Sequence, residues 1–536
     1  MTMDMDMNMD LDLNMDIEKS KFKPTLEQEA ILSAARTTKS SLMLTAMAGA
    51  SKSTTLELLA RAAGPKVPTC YVVFNKKNQL EAEKKFKSLD SPLASFGSAS
   101  HVDIVTANAL GHRAWSKAIG KRLILDTKKL YNIVKKNITD NHLESSRDDF
   151  IFVMQLVSKA RHAGIGPRGR CILEDTFENW QSVADSLYGE LNENHIYLAR
   201  KSLAECIKQS YGGLVDFDDQ VYMSSLFGGV FPRYENTYVD EAQDLSALNH
   251  RQIKFTAAGR LVCVGDPRQA IYAFRGADSS SMDNLRKLRD DWIDLPLSTT
   301  FRCPKTIVSR QQSHAPGFRA HDTNAEGKVL DLQGQPWQVP PGRVAILCRN
   351  NAPLFSCALR IIRRGLGCTI LGGEIGKGLV TLSKKIVPED STESSQARLM
   401  ITAWRDKEIA LALVNNQESR SEIISDKAEC LLAVIEEGKC QTMGEARRTL
   451  ETMFSKDNLR ITLSTGHKAK GLEWPTVIHL DPWRVPSKFA KSAKANGNPI
   501  PMEQDLNLRY VIETRAQEKL ILASLEDFQE KAMEEK

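Results

Sequence analysis

"SLMLTAMAGASKSTTLELLARAA", Ser41–Ala63, joins a short apolar run to a loop of small residues and then to an amphipathic stretch. The run "SLMLTA" is the kind a buried parallel strand needs, and "KSTTLELLARAA" has helical spacing. Between them, Lys52 and Ser53 stand where the pattern G-x-x-x-x-G-K-[ST] puts its cation and hydroxyl. A loop of this kind wraps phosphate oxygens in backbone N–H groups, and the helix start adds partial positive charge. Both pattern glycines are replaced, by Ala46 and Ser51. Glycine serves positive φ or close backbone approach in such loops, so Ser51 is expected to cost affinity.

Similar apolar runs recur outward from this stretch: "CYVVF", "NTYVD" and "RLVCVGD", then "RVAILC", "CTILGG", "TVIHLD" and "KLILAS". Short β-branched runs separated by helical patterns predict parallel sheets covered by helices, an α/β fold. The runs cluster near 41–266 and 344–525, which predicts two cores, each interrupted by a helical insertion. A chain of 536 residues is too long for one hydrophobic core and fits this division.

Apolar residues make up 42% and charged residues 26%, as in soluble globular proteins. No apolar run approaches the roughly 20 residues that span a bilayer, so no membrane partner is expected. The acidic N-terminus is not a signal peptide. Its first sixteen residues, "MTMDMDMNMDLDLNMD", hold five Asp and no Lys or Arg; this low-complexity leader is expected to be disordered. The net charge is +5 with the leader and +10 without it, which hints at a polyanionic partner. Ten cysteines include no C-x-x-C pair, so buried free thiols in an intracellular protein are expected, cytoplasmic or nucleoid-associated, or nuclear in a eukaryote.

The loop has company. "TYVDEAQD" (237–244) ends a strand with Asp240, suited to Mg²⁺, and Glu241, suited to orienting an attacking water. "VGDPRQAIYAFRGA" (264–277), "TTFRCP" (299–304), "STGHKAKGLEW" (464–474) and "RYVIETRAQEKL" (509–520) follow in order. This set resembles the UvrD/Rep-type superfamily 1 DNA helicases of the A subgroup, over about residues 25–520. "FNKKNQLEAEKKF" and "TANALGHRAW" lean towards the F-box helicase-like and phage-encoded branch.

The resemblance implies two RecA-like parallel-sheet cores with helical insertions. After a leader at 1–16, core 1A takes 17–111 and 213–280, and insertion 1B takes 112–212. Core 2A takes 281–379 and 460–536, and insertion 2B takes 380–459. It also implies ATP and Mg²⁺ as cofactors. Gln28 in "TLEQEAI" would read the adenine edge, and Phe301 would stack on the base. Glu473 would touch the ribose, and Ala48, Gly49, Ala50, Ser51, Lys52, Ser53 and Thr54 would line the phosphates. Ser53 and Asp240 would hold the metal, with Glu241 as the base. Gln269, Arg302 and Arg515 would sense the γ-phosphate, because phosphoryl transfer needs charge placed on oxygens and guanidinium forks supply it. Thr54 stands where many relatives carry an Arg over the adenine, which predicts weaker nucleotide binding.

For the polynucleotide, the resemblance implies Tyr272, Phe274 and Arg275 as the grip beside Gln269. Asn75 and Lys76, Thr106 and Asn108, and Thr465, His467 and Lys468 match strand-touching segments. Phe74 is a further stacking candidate, although an aromatic at a strand end is more often core. Trp115 and Trp474 read as packing residues, and the acidic "DFDDQ" (216–220) as a structural cluster rather than a nuclease site. The implied activity is an ATP-driven 3′→5′ translocase and helicase acting on single-stranded DNA and duplex junctions, working with replication or recombination proteins. Two rivals are a translocase that strips proteins without unwinding, and a nucleotide-gated DNA-binding protein whose hydrolysis is impaired by Ser51.

Overall fold

The computed structural model describes residues 22–73, 75–88, 91–140, 147–187, 191–271, 280–414, 418–453 and 459–529. The expected acidic leader lies outside them. Two six-stranded sheets, every pairing parallel, organise the chain. The first contains β1 (Ser41–Ala46), β2 (Thr69–Val73), β3 (Asp103–Thr106), β4 (Tyr234–Val239), β5 (Ala257–Gly265) and β6 (Trp292–Leu297). Its order is β6-β1-β5-β4-β2-β3. The second contains β7 (Lys328–Asp331), β8 (Val344–Cys348), β9 (Cys368–Ile370), β10 (Ile461–Thr465), β11 (Trp474–Leu480) and β12 (Ala516–Ala523), in the order β7-β12-β11-β8-β10-β9. Interior strands such as β2 and β8 are buried at every position, because helices cover both faces.

One boundary differs from the expected division. Residues 281–297, assigned from sequence to the second core, belong with the first sheet: β6 pairs with β1 from Ser41↔Trp292 to Ala46↔Leu297. As an edge strand β6 needs no continuous apolar run, and it tolerates Pro296, which has no N–H to give. Helix Ser281–Arg286 buries Met282 and Leu285 in the same core.

The first helical block, between β3 and β4, surrounds buried Trp115, Trp180 and Tyr222. Helix Ala107–Ile119 crosses the expected boundary at 111/112, and it packs so closely on helix Phe217–Leu226 that a Cβ at Gly111 would lie 2.2 Å from Gln220 O. Trp115 is core, as expected, and its indole donates to Ser210 O. The acidic cluster is structural. Arg161, 1% exposed, bonds Asp216 at 2.9 Å, Asp219 at 2.8 Å and Asp218 at 3.1 Å, while Lys129 bonds Asp219 at 2.6 Å. Asp216 also caps the helix that follows. Removing one partner strands buried charge, so Arg161→Ala is expected to destabilise the protein by about 3–5 kcal/mol. Urea denaturation followed by circular dichroism measures it; a change near zero would make the cluster dispensable.

The second block comprises helices Gly373–Ile386, Ser394–Val414, Glu418–Glu437 and Met443–Thr452, packed on the second sheet's outer core. Nine of the ten cysteines are buried free thiols, and Cys171 is half-buried. Burial pushes the Cys206 and Cys348 thiols up to about 12, so they behave as small apolar side chains. Among the described residues no helix is long and apolar enough to cross a membrane.

Candidate functional site

β1 ends at Ala46, the loop Met47–Ser51 turns, and helix Lys52–Ala63 begins. The two replaced pattern glycines prove unequal. Ala46 is fully buried strand with ordinary backbone, so glycine is not needed there. Ser51 adopts φ 56 and ψ 37, the left-handed region, as does Gly49 with φ +70. A side chain at that conformation costs roughly 1–2 kcal/mol. Ser51→Gly is therefore expected to stabilise the protein by about 1 kcal/mol, read by urea denaturation; a loss of stability would mean that the Ser51 side chain itself contributes.

The loop meets the chain's second half directly. Phe301 N donates to Gly49 O, and a Cβ at Gly49 would lie 2.6 Å from both Arg302 Cβ and Thr300 Oγ1. From helix Ile500–Glu513, the Tyr510 hydroxyl accepts from Ala48 N at 2.9 Å. Glycine at position 49 permits this approach.

Opposite the loop, β4 delivers its carboxylates. Asp240 accepts from Ser53 Oγ at 3.1 Å and from Tyr71 OH at 2.7 Å. Burial, then neighbouring Glu241, push the Asp240 carboxyl up. Glu241 sits at φ 51, a second strained non-glycine residue, and bonds Lys52 Nζ at 2.7 Å. Burial would raise the Glu241 carboxyl, but Lys52 and Lys470 hold it down at about 2. Burial likewise pulls the Lys52 ammonium down, and Glu241 and Asp240 more than offset it.

A cavity of about 150 Å³ lies between the sheets. Lys52, Glu241 and Gln269 line it from the first lobe, and Arg302, Lys470 and Arg515 from the second. Arg302 pairs with Glu473, which also accepts from Gln517. Arg515 is 1% exposed and spends its donors on Val511 O, Leu472 O and Thr514 Oγ1. Burial first, then Arg302, lower its guanidinium to about 10. Arg302 and Arg515 thus line the same cavity as Lys52 from the other lobe.

Other expected nucleotide contacts have partners of their own. Gln28 is buried, donates to Thr55 Oγ1 at 3.1 Å and accepts from Thr25 N at 3.0 Å in a helix-capping box. Thr54 accepts from Lys85 Nζ, so a cation stands beside the position where Arg was missed. Phe301 is 45% exposed and stacks on His321, with centroids 4.7 Å apart.

Of the strand-contact candidates, Phe74, Tyr272, Phe274 and Arg275 lie outside the described residues. Asn75 caps helix Lys76–Lys87 and lines the 150 Å³ cavity with Asn78. The cap fixes its place, because its side chain accepts from Asn78 N at the helix end that faces Lys52. Lys76 bonds Gln79. Thr106 caps helix Ala107–Ile119, and Asn108 donates to Phe217 O. Thr465 is buried at the end of β10. His467 lines a separate cavity of about 660 Å³ with Arg349 and Lys427, and Lys468 lies against Gly372. Trp474 is 5% exposed, a packing residue as expected.

Sequence reading missed Lys470, Asp244 and Tyr510. Lys470 bridges Asp244 of the first lobe, although it stands only three residues from Glu473 within a quoted motif.

Comparison with known proteins agrees with this geometry. The UvrD/REP helicase N-terminal domain matches residues 27–290, and the UvrD-like helicase C-terminal domain matches residues 408–527. The ATP-dependent DNA helicase UvrD2 of Mycobacterium tuberculosis (strain ATCC 25618 / H37Rv) is 25% identical over 523 residues, covering 84% of this chain and 71% of that protein. F-box DNA helicase protein 1 of Schizosaccharomyces pombe is 24% identical over 349 residues, 61% of this chain and 39% of that protein. The RecBCD enzyme subunit RecB of Mycolicibacterium smegmatis is 29% identical over 190 residues, 32% of this chain and 17% of that protein. With both helicase domains matched in order around one inter-lobe cleft, the chain belongs to the UvrD/REP helicase family.

Proposed function

We propose that the chain is an ATP- and Mg²⁺-dependent motor that moves 3′→5′ along single-stranded DNA and unwinds duplex ahead of it. The observation that carries the reading is the single cavity shared by Lys52, Glu241 and Gln269 from one lobe and Arg302 and Arg515 from the other. In this reading the two sheets are the cores and the two helical blocks the insertions, with residues 281–297 added to the first core. The mycobacterial relative, named an ATP-dependent DNA helicase, supports ATP as fuel and DNA as track.

The residues fit the cofactors. Ser53 Oγ and Asp240 Oδ2, 3.1 Å apart, are an oxygen pair suited to Mg²⁺, which when bound neutralises charge on the phosphate oxygens. The loop N–H groups and Lys52 take the phosphates, and Lys52 must leave Glu241 to do so. Glu241, which keeps Lys470 beside it, is then the carboxylate placed to orient water. Arg302 and Arg515 reach the cavity from the second lobe, so the charge around the phosphates depends on how the lobes are docked, which ties hydrolysis to lobe motion. Strand displacement on 3′- and 5′-tailed duplexes with ATP tests the proposal. Unwinding of the 3′-tailed substrate is expected, unwinding of only the 5′-tailed one contradicts the direction, and movement without displacement favours the stripping translocase.

A further inference from the structure

The short turn Pro267–Gln269, with Ala270 after it, follows the first sheet's β5 yet is held from the second lobe at four consecutive residues. The Asn507 side-chain amide donates to Pro267 O at 3.3 Å and to Ala270 O at 3.2 Å. Lys470 Nζ donates to Gln269 O at 2.7 Å. Arg268 Nε donates to His314 O at 2.8 Å. Asn507 is 3% exposed, and its Oδ1 lies 3.0 Å from His314 Nε2. With Nε2–H donating, both amide hydrogens and the carbonyl oxygen of Asn507 are used. Burial lowers the His314 pKa, which favours the neutral ring that this tautomer needs.

Gln269's own side chain bonds Asp266 in the first lobe at 2.7 Å. Gln269 is thus divided, its side chain answering to one lobe and its carbonyl to the other. Helix Ile500–Glu513 makes the second attachment. It carries Asn507 to the turn and Tyr510 to Ala48 N, and it ends two residues before Arg515. Two part-buried carbonyls would lose the Asn507 donor together if the turn detached, so the turn follows this helix.

We propose that Asn507 is a positioning residue for ATP turnover: it makes the turn Pro267–Ala270 travel with the second lobe, so that lobe closure moves the backbone of Gln269 with it. This rests on the motor reading above. Asn507 touches no substrate. Its effect passes through the turn, and a packing role alone would show in stability and not in coupling.

The test uses Asn507→Leu in the full chain, a change of similar size that removes both donors. ATP hydrolysis is measured with and without single-stranded DNA, beside a thermal melt. Basal kcat and the ATP KM are expected to stay within about twofold of the unmutated protein, while the DNA-stimulated kcat falls about tenfold. If Asn507→Leu does not fold, His314→Phe, which keeps a ring against Tyr510, is expected to lower the stimulated kcat about threefold in the same selective way. Unchanged stimulation in a folded variant, or equal fractional loss with and without DNA, overturns the proposal. No stimulation in the unmutated protein would instead remove the motor reading beneath it.

Discussion

Arg302→Ala is expected to lower DNA-stimulated ATP turnover by about 10³–10⁵-fold, the range for a guanidinium that meets transferring phosphate. The argument rests on where the side chain leaves the backbone. Its Cβ packs over Gly49, so alanine keeps the contact that docks the second lobe on the phosphate loop. What is lost is the charge alone. Glu473 retains Gln517 as a partner, so the carboxylate left behind is not stranded. The melting temperature is therefore expected to stay close to that of the unmutated protein, and nucleotide binding to fall far less than turnover. A loss of less than about tenfold would place Arg302 outside the transition-state contacts.

Lys52→Ala is expected to abolish measurable hydrolysis, a loss of at least about 10²–10³-fold, as when one preorganised charge is removed from a developing oxyanion. Two effects combine here. The phosphates lose their first-lobe cation, and Glu241 loses the partner that chiefly holds its carboxyl at about 2. The sign follows from that value. With its folded pKa depressed below 4.5, Glu241 contributes stability that is present above 4.5 and lost as pH falls towards 2. In Lys52→Ala that contribution shrinks, so the stability advantage of pH 7 over pH 4 should narrow. Steady-state hydrolysis and melts at both pH values check the pair, and retained turnover would show that Lys470 or Arg515 suffices.

Legibility from sequence followed the number of neighbours each element has. Strands with two neighbours and two covered faces, such as β2 and β8, announce themselves as apolar runs. β6 has one neighbour and carries Asp294 and Pro296, so its run was invisible and the core boundary fell in the wrong place. Lys52, Glu241, Arg302 and Arg515 were recognisable because each sits in a motif that names its chemistry. Asn75's motif indicated a strand contact, and nothing in it announced that helix capping also brings the residue to the inter-lobe cavity. Tyr510 and Asn507 act through a hydroxyl and an amide on backbone groups more than 200 residues away, and no local pattern encodes such pairings. The strain at Ser51 was legible as a missing glycine, and the structure supplied the reason that Ala46 carries none.

The most direct measurement is steady-state ATP hydrolysis by the full chain, with Mg²⁺, in the presence and absence of single-stranded DNA. If the two lobes form one catalytic cleft that the bound strand closes, DNA must raise kcat severalfold or more, and Arg302→Ala must remove that rise. Hydrolysis that DNA leaves unchanged, or a rise that survives without Arg302, would contradict the account.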